Sequence, residues 1–118
     1  MEFIINNRTW KIVEKSQDEL KEEIKRHYNK PEETGRYYGL TYIDTQTIFL
    51  DKDLCVETKI YTLLHELTHC YVETFFTHLE KAYTEEDLAD IVANSHFILR
   101  EIVDRYFDRR IKSGSSKK

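Results

Sequence analysis

The sequence predicts a single α+β domain in which a small, mostly antiparallel sheet packs against two helices. Strand-like segments dominate the first half of the chain, whereas apolar residues recur at helical spacing through the second half. The 118 residues are enough for one domain and too few for two. With 40% apolar residues and 13% aromatic residues, the chain has the material for a core, which argues against a disordered protein. We expect residues 1–112 to form the domain and residues 113–118 to form a flexible tail.

The first segments predict a hairpin and a helix. Residues 3–13 place β-branched and aromatic side chains around an Asn-Asn turn signal, which favours a short hairpin or a strand leading into a helix. Ser16 and Glu19 form a capping-box pattern, which predicts the start of a helix that ends at Pro31. Residues 32–35 are expected to form a polar loop.

The remaining segments predict a second hairpin and two helices. The strand-like residues 36–43 and 47–51 are separated by only three residues, which favours a hairpin. Helical spacing of apolar residues then predicts a mostly buried helix over 54–76. A second capping box, Thr84 to Asp87, opens the last helix. Its expected apolar stripe consists of Ala89, Val92, His96, Leu99, Val103 and Tyr106.

Charge and cysteine usage limit the class of protein. The net charge is −4, but residues 100–118 carry seven Lys and Arg against three Asp and Glu, so residues 1–99 carry −8. The chain has no overall positive field that would favour binding of nucleic acid. No segment approaches the ~20 apolar residues of a membrane span, and the first residues lack the features of a signal peptide. Cys55 and Cys70 lie about 22 Å apart on one predicted helix, too far for a disulfide. We therefore expect a cytoplasmic protein with two free thiols and no membrane partner.

The predicted central helix contains an H-E-x-x-H motif formed by His65, Glu66 and His69. Residues four apart on a helix are offset by about 40° and about 6 Å, so both imidazoles reach one point in space. Glu66 flanks the pair, at about 100° from His65 and about 60° from His69, where a general base for a metal-activated water belongs. The motif therefore predicts a catalytic metal site, with Zn²⁺ as the expected ion.

The residues alone do not decide which side chain is the third metal ligand. A catalytic zinc ion takes three protein ligands and keeps one open position. A third histidine six residues after the motif is excluded, because Phe75 stands there. Glu86 lies in the first turn of the last helix, where a negative side chain also favours the helix dipole. The candidates are Glu73, His78, Glu86, Asp90 and His96.

Three segments together resemble the ImmA/IrrE-type metallopeptidases, gluzincin-like proteins common in phages and mobile elements. These are residues 47–51, residues 63–69 with the H-E-x-x-H motif, and residues 86–93, which match the family pattern E-x-x-A-[DN]-x-[FV]-A. The resemblance spans roughly residues 36–100. It implies a minimal zincin-like fold, Glu86 as the third zinc ligand and Asp90 as a carboxylate that orients a ligand histidine.

The leading hypothesis is a small zinc-dependent metallopeptidase that hydrolyses a peptide bond in a protein or peptide substrate. By the resemblance, that substrate is a regulatory protein such as a phage repressor. Zinc lowers the pKa of a bound water to about 7, and Glu66 takes its proton and passes it to the leaving amine. The strand at residues 47–51 is expected to be the edge with which an extended substrate pairs. The family usually has glycine where Thr68 stands, and this side chain is expected to crowd the close packing of the helix.

Two other functions are open, and several residues have structural explanations. One alternative is a catalytically silent zincin-fold module with a structural metal, which docks to a partner protein. The other is a DNA-associated factor that binds phosphate through its basic end, although those residues also suit a helix C-terminus. The basic residues are Arg105, Arg109, Arg110 and Lys112. For Tyr61, Tyr71 and Tyr83 the alternatives are half-buried packing, which we expect, and a phenol offered to an oxyanion. We expect a small buried role for Cys70 and a core position for His96.

Overall fold

A four-stranded sheet and three helices make up the part of the chain that the computed structural model describes, residues 1–28, 36–76 and 82–114. The predicted α+β class is confirmed. The predicted 54–76 helix agrees with the observed one to within two residues at each end. The elements are β1 (Glu2–Ile5), β2 (Arg8–Lys15), α1 (Gln17–Tyr28), β3 (Gly39–Tyr42), β4 (Thr47–Asp51), α2 (Val56–Phe75) and α3 (Glu85–Gly114).

The strands lie in the order β1-β2-β4-β3. β1 and β3 run antiparallel to their neighbours, whereas β2 and β4 are parallel, so the sheet is mostly antiparallel, as predicted. The first hairpin closes through Asn6 and Asn7, whose φ angles of 50° and 68° are those of the left-handed region that tight hairpin turns require. The hairpin prediction for residues 3–13 is therefore confirmed over the alternative of a strand leading into a helix.

The position of β4 corrects one expectation from the sequence. β4 lies between β2 and β3, so both of its edges are already hydrogen-bonded and it cannot accept an extended substrate. All five of its residues are buried, which is typical of a central strand covered on both faces. In the described part of the chain, β3 is the strand beside α2 that keeps one edge unpaired.

Both predicted capping boxes form. The Ser16 hydroxyl accepts a hydrogen bond from the Glu19 amide, and the Glu19 carboxylate accepts one from the Ser16 amide. The Ser16 amide is the main reason that the pKa of Glu19 lies below its usual value. Thr84 and Asp87 exchange the same pair of bonds, at 3.0 and 3.1 Å, at the start of α3. Pro31 and residues 32–35 lie outside the described residues.

The two faces of the sheet contribute to separate clusters of buried residues. Trp10 is fully buried in the larger cluster, where side chains from β1, β2 and β4 pack against α2 and α3. Leu20 of α1 packs with Tyr42 and Phe49 in the smaller cluster. The larger cluster holds α2 against the sheet through Leu63, Leu67, Cys70 and Tyr71.

A buried carboxylate fixes the chain that leads into β3. Asp51, at the end of β4, is fully buried and accepts hydrogen bonds of 2.8 and 3.1 Å from Arg36 and of 2.8 Å from Gln17. The Asp53 amide donates a further bond of 2.8 Å. Burial alone raises the pKa of Asp51, but these hydrogen bonds outweigh it and hold the pKa below its usual value. The Asp51 amide also donates to the Tyr38 carbonyl, which anchors the segment directly before β3.

The buried face of α3 differs from the predicted stripe in its first half. Ala89 and His96 are exposed and Val92 is 65% exposed, so the expectation of a core histidine at position 96 is wrong. Adjacent apolar pairs such as Ile91 and Val92 made two stripes compatible with the sequence, and packing against α2 selects the one through Ile91. The buried residues of α3 are Ile91, Ser95, Leu99, Ile102, Val103 and Tyr106.

The ends of the described chain and its surface complete the fold. α3 continues through Ser113 and Gly114, which the sequence assigned to the tail, and residues 115–118 lie outside the described residues. Cys55 is exposed and Cys70 is buried, and both are free thiols, as predicted. Among the helices in the described ranges, none combines the length and the apolar content that crossing a membrane requires.

Candidate active site

The two motif histidines lie side by side on the outer face of α2. His65 and His69 are both exposed, and their ring centroids are 5.0 Å apart with the planes at 75°. This is the neighbouring arrangement that the four-residue spacing predicts. The Tyr61 ring lies one turn earlier, with its centroid 6.4 Å from that of His65, and it is 70% exposed.

Glu66 points to a different side of α2, toward β3. It is only 7% exposed, although it follows an exposed histidine directly. The Thr41 hydroxyl of β3 donates a hydrogen bond of 2.5 Å to its Oε1 atom. Within the described part of the chain, no residue is hydrogen-bonded to Oε2 of Glu66. One oxygen of the carboxylate is thus held in place, while the other is available to a molecule in the adjacent cavity.

Gly39 allows β3 to approach α2 closely enough for that contact. A Cβ atom at position 39 would lie 2.9 Å from Thr62 Cγ2, 3.1 Å from the Phe49 carbonyl oxygen and 3.3 Å from Glu66 Cγ. All three distances are shorter than ordinary van der Waals contacts, so only glycine fits without movement of its neighbours. We did not single out this residue from the sequence, although an isolated glycine in a strand-like segment does signal a close approach of backbone.

A cavity of about 890 Å³ lies between β3, α2 and the start of α3. We call it the cleft. Glu66, His69 and Glu73 line it, so the general-base candidate and two of the metal-ligand candidates face the same space. Apolar side chains form most of its walls. From β3 and the turn after it come Gly39, Leu40, Thr41 and Ile43. From α2 come Glu66, Thr68, His69, Val72 and Glu73, followed by Phe76 directly after the helix. From the α3 region come Tyr83, Leu88 and Ile91.

The structure does not bring Glu86 to the two histidines. Glu86 and Asp90 are both exposed. Around the α3 axis, Glu86 lies about 140° and Asp90 about 100° from Ile91, which faces the core. Across residues 1–28, 36–76 and 82–114, no group of three or more His, Cys, Asp and Glu side chains is arranged to hold a metal ion. His78, another ligand candidate, lies outside the described residues.

Other residues considered in the sequence occupy clear positions. Thr68 is exposed and its hydroxyl donates to the Leu64 carbonyl at 2.8 Å, so it does not crowd the packing of α2, contrary to expectation. Tyr71 and Cys70 are buried in the core as expected, and burial raises the pKa of the Cys70 thiol to about 12. Tyr83 is partly buried, packs against the larger cluster as expected and also lines the cleft. Tyr61 is 70% exposed, contrary to the packing role expected of it. Of the basic cluster, Arg105 is exposed, whereas the side chains of Arg109, Arg110 and Lys112 lie outside the description.

α2 carries two side chains that are suited to bind one zinc ion. Imidazole nitrogens are preferred zinc ligands, and the two exposed rings of His65 and His69 are adjacent and make no hydrogen bond to any described residue. Among the residues that the structure describes, no third protein donor joins these two rings. His65 and His69 therefore fit two of the three ligands that a catalytic zinc site requires.

Comparison with known proteins adds no relative. No protein-family model, curated protein or solved structure matches the chain. Three features of the described residues offer groups that can act on or bind a ligand. These are the pair of exposed imidazoles, the buried Glu66 carboxylate and the unpaired edge of β3 above the cleft.

Proposed function

We propose that the chain is a small zinc-dependent metallopeptidase that hydrolyses a peptide bond of a protein or peptide substrate within the cleft. The observation that supports this most is the placement of a buried carboxylate, Glu66, in the same cleft as His69, one of two adjacent exposed imidazoles on a single helix. His65 and His69 hold the ion in this proposal. The family pattern that residues 86–93 resemble implies Glu86 as the third ligand, although the structure does not bring Glu86 to the two histidines.

Glu66 handles the proton. A bound zinc ion supplies Lewis acidity, which makes a water molecule more acidic and polarises a carbonyl group. Oε2 of Glu66 takes the proton of the attacking water and then delivers it to the leaving amine. The hydrogen bond from Thr41 to Oε1 holds the carboxylate in one orientation during both transfers.

β3 positions the substrate. Its unpaired edge offers backbone amide and carbonyl groups to an extended peptide, which would add to the sheet beside the cleft. Thr41 belongs to this strand and also contacts Glu66, so the same element aligns the peptide and the general base. The resemblance to the ImmA/IrrE-type metallopeptidases implies a regulatory protein, such as a phage repressor, as the substrate.

A second candidate function is a binding module without catalysis, in which the metal is structural and the cleft docks a partner protein. The separation of Glu86 from the histidine pair favours it, because a catalytic zinc site needs three protein ligands. In such a module Glu66→Gln leaves partner binding at the wild-type level. Loss of the metal, through His69→Ala, unfolds the protein.

Replacement of the general base tests the proposal. We expect Glu66→Gln to retain the zinc content of the wild type and to slow hydrolysis of a mixed pool of fluorogenic peptides by at least about 100-fold. Glu57→Gln is the matched control, because Glu57 is an exposed glutamate on the same helix that does not line the cleft. Equal hydrolysis by wild type and Glu66→Gln would contradict the mechanism.

A further inference from the structure

Glu73 is a second carboxylate in the cleft, and the proposed mechanism does not use it. It lies seven residues after Glu66 on α2, which corresponds to a rise of about 10 Å and a rotation of only about 20°, so both residues face the same side of the helix. Glu73 is half-buried and lines the cleft. It makes no hydrogen bond or ion pair with any residue in the described part of the chain. A partly desolvated carboxylate of this kind is stabilised by a cation from a ligand.

The surroundings of Glu73 favour a positively charged side chain with an apolar stem. The described residues that line the cleft include two carboxylates, Glu66 and Glu73, and neither lysine nor arginine. Four further acidic residues lie at the adjacent start of α3, and residues 1–99 as a whole carry −8, so the local potential is negative. Val72 and Phe76 line the cleft next to Glu73 along α2 and offer apolar surface to the methylene groups of a lysine or arginine.

The direction of β3 sets where that side chain falls in a bound peptide. Gly39 lies against Thr62, and Thr41 contacts Glu66, so β3 runs in the same direction as α2. A peptide paired antiparallel to β3 runs in the opposite direction, and its N-terminal part lies toward Glu73. An extended chain advances about 3.3 Å per residue, so the 10 Å between Glu66 and Glu73 corresponds to roughly three residues.

We infer that Glu73 is a specificity-determining residue of the cleft. It selects a lysine or arginine about three residues N-terminal to the peptide bond for whose hydrolysis Glu66 is the general base. This inference deepens the proposed function and rests on it. The selected substrate class is an extended polypeptide segment in which one basic side chain is followed by apolar residues.

Peptide binding tests this assignment without requiring hydrolysis. The probes are fluorescein-labelled nine-residue peptides of Ala, Leu and Ser that carry one Lys, or Gln at the same position. Binding to zinc-loaded Glu66→Gln is followed by fluorescence anisotropy, so that no peptide is consumed. We expect the Lys peptide to bind about fivefold more tightly than the Gln peptide, with a preference that weakens at high salt. Adding Glu73→Gln should abolish the preference, and adding Glu73→Lys should transfer it to a peptide with Glu at that position.

Control measurements separate the possible roles of Glu73. Glu101→Gln, which removes an exposed glutamate of α3 outside the cleft, should retain the Lys preference. The zinc content of Glu73→Gln should equal that of the wild type, and loss of zinc would instead assign Glu73 to the metal and overturn the inference. Mass spectrometry of wild-type digests should locate the cleaved bond about three residues after the Lys.

The outcomes for Glu73 and for the peptidase are distinct. Equal binding of Lys and Gln peptides, an unchanged preference in Glu73→Gln, or no binding of either peptide would each overturn the role of Glu73. A Lys preference that depends on Glu73, together with no hydrolysis by zinc-loaded wild type, would contradict the peptidase and leave the cleft as a docking site for basic segments.

Discussion

Gly39→Ala tests how closely β3 approaches α2. The new Cβ would lie 2.9 Å from Thr62 Cγ2, about 0.5 Å inside the shortest ordinary contact, and 3.1 Å from the Phe49 carbonyl oxygen. Thr62 is buried and β-branched and the second neighbour is backbone, so neither moves freely. Overpacking of this size costs about 1–3 kcal/mol, whereas the loss of unfolded-state freedom on replacing glycine returns about 0.4–1 kcal/mol. We expect a net loss of about 1–2 kcal/mol in the free energy of unfolding.

Urea denaturation followed by the fluorescence of Trp10 measures this loss, since Trp10 is the single tryptophan and is fully buried. The melting temperature should fall by about 4–8 °C. Thr62→Ser is the matched partner, because it removes the methyl group that the new Cβ meets. In the double variant, part of the loss should be recovered, with a coupling of at least about 0.5 kcal/mol. A Gly39→Ala protein as stable as the wild type, or more stable, would refute the close approach of β3 and α2.

Three further predictions concern single side chains. Asp51→Asn should lower the free energy of unfolding at pH 7 by about 2 kcal/mol. The folded-state pKa of Asp51 is depressed, so its contribution to the free energy of unfolding is complete above the unfolded pKa of about 3.9 and is lost as the pH falls through the folded value. Urea titrations at decreasing pH should therefore show a steeper loss of stability in the wild type than in Asp51→Asn. A hydrogen bond with the neighbouring Thr58 hydroxyl is the main reason that the pKa of Cys55 is lowered. The exposed Cys55 should react with Ellman's reagent in the folded protein, whereas the buried Cys70 should react only after unfolding. Rapid reaction of both thiols in the folded protein would contradict this. Thr41→Val should lower the free energy of unfolding by about 1–3 kcal/mol, because it leaves an oxygen of the buried Glu66 carboxylate without its donor. Thr41→Ser keeps the hydroxyl and should retain most of the stability. Equal losses in the two variants would show that the hydroxyl is not the cause.

Local patterns predicted the features that depend on residues close in sequence. Ser16 and Glu19 form their capping box because both partners lie within one helical turn, and the same holds for Thr84 and Asp87. The His65 and His69 rings are neighbours for the same reason. In each case the helix backbone itself fixes the distance, so no tertiary information is required.

Features that depend on distant segments were not predictable in this way. The apolar sequence of β4 is compatible with an edge strand or a central strand. β4 becomes central only because it pairs in parallel with β2, where Thr47 lies opposite Lys11, 36 residues earlier in the chain. The choice between Ile91 and Val92 for the buried face of α3 depends on how α3 packs against α2. The contact of Thr41 with Glu66 requires the close approach at Gly39, a relation between a strand and a helix that composition does not express.

The central claim is that His65 and His69 hold a metal ion beside Glu66. Elemental analysis of the purified protein tests it most directly, with Glu66→Gln, His69→Ala and Glu86→Ala measured in parallel. We expect about one zinc per chain in the wild type and in Glu66→Gln, and none in His69→Ala, because a zinc site of three protein ligands does not survive the loss of an imidazole. Loss of zinc from Glu86→Ala would identify the third ligand. A wild-type protein that is folded and holds no zinc after incubation with the ion would contradict the claim.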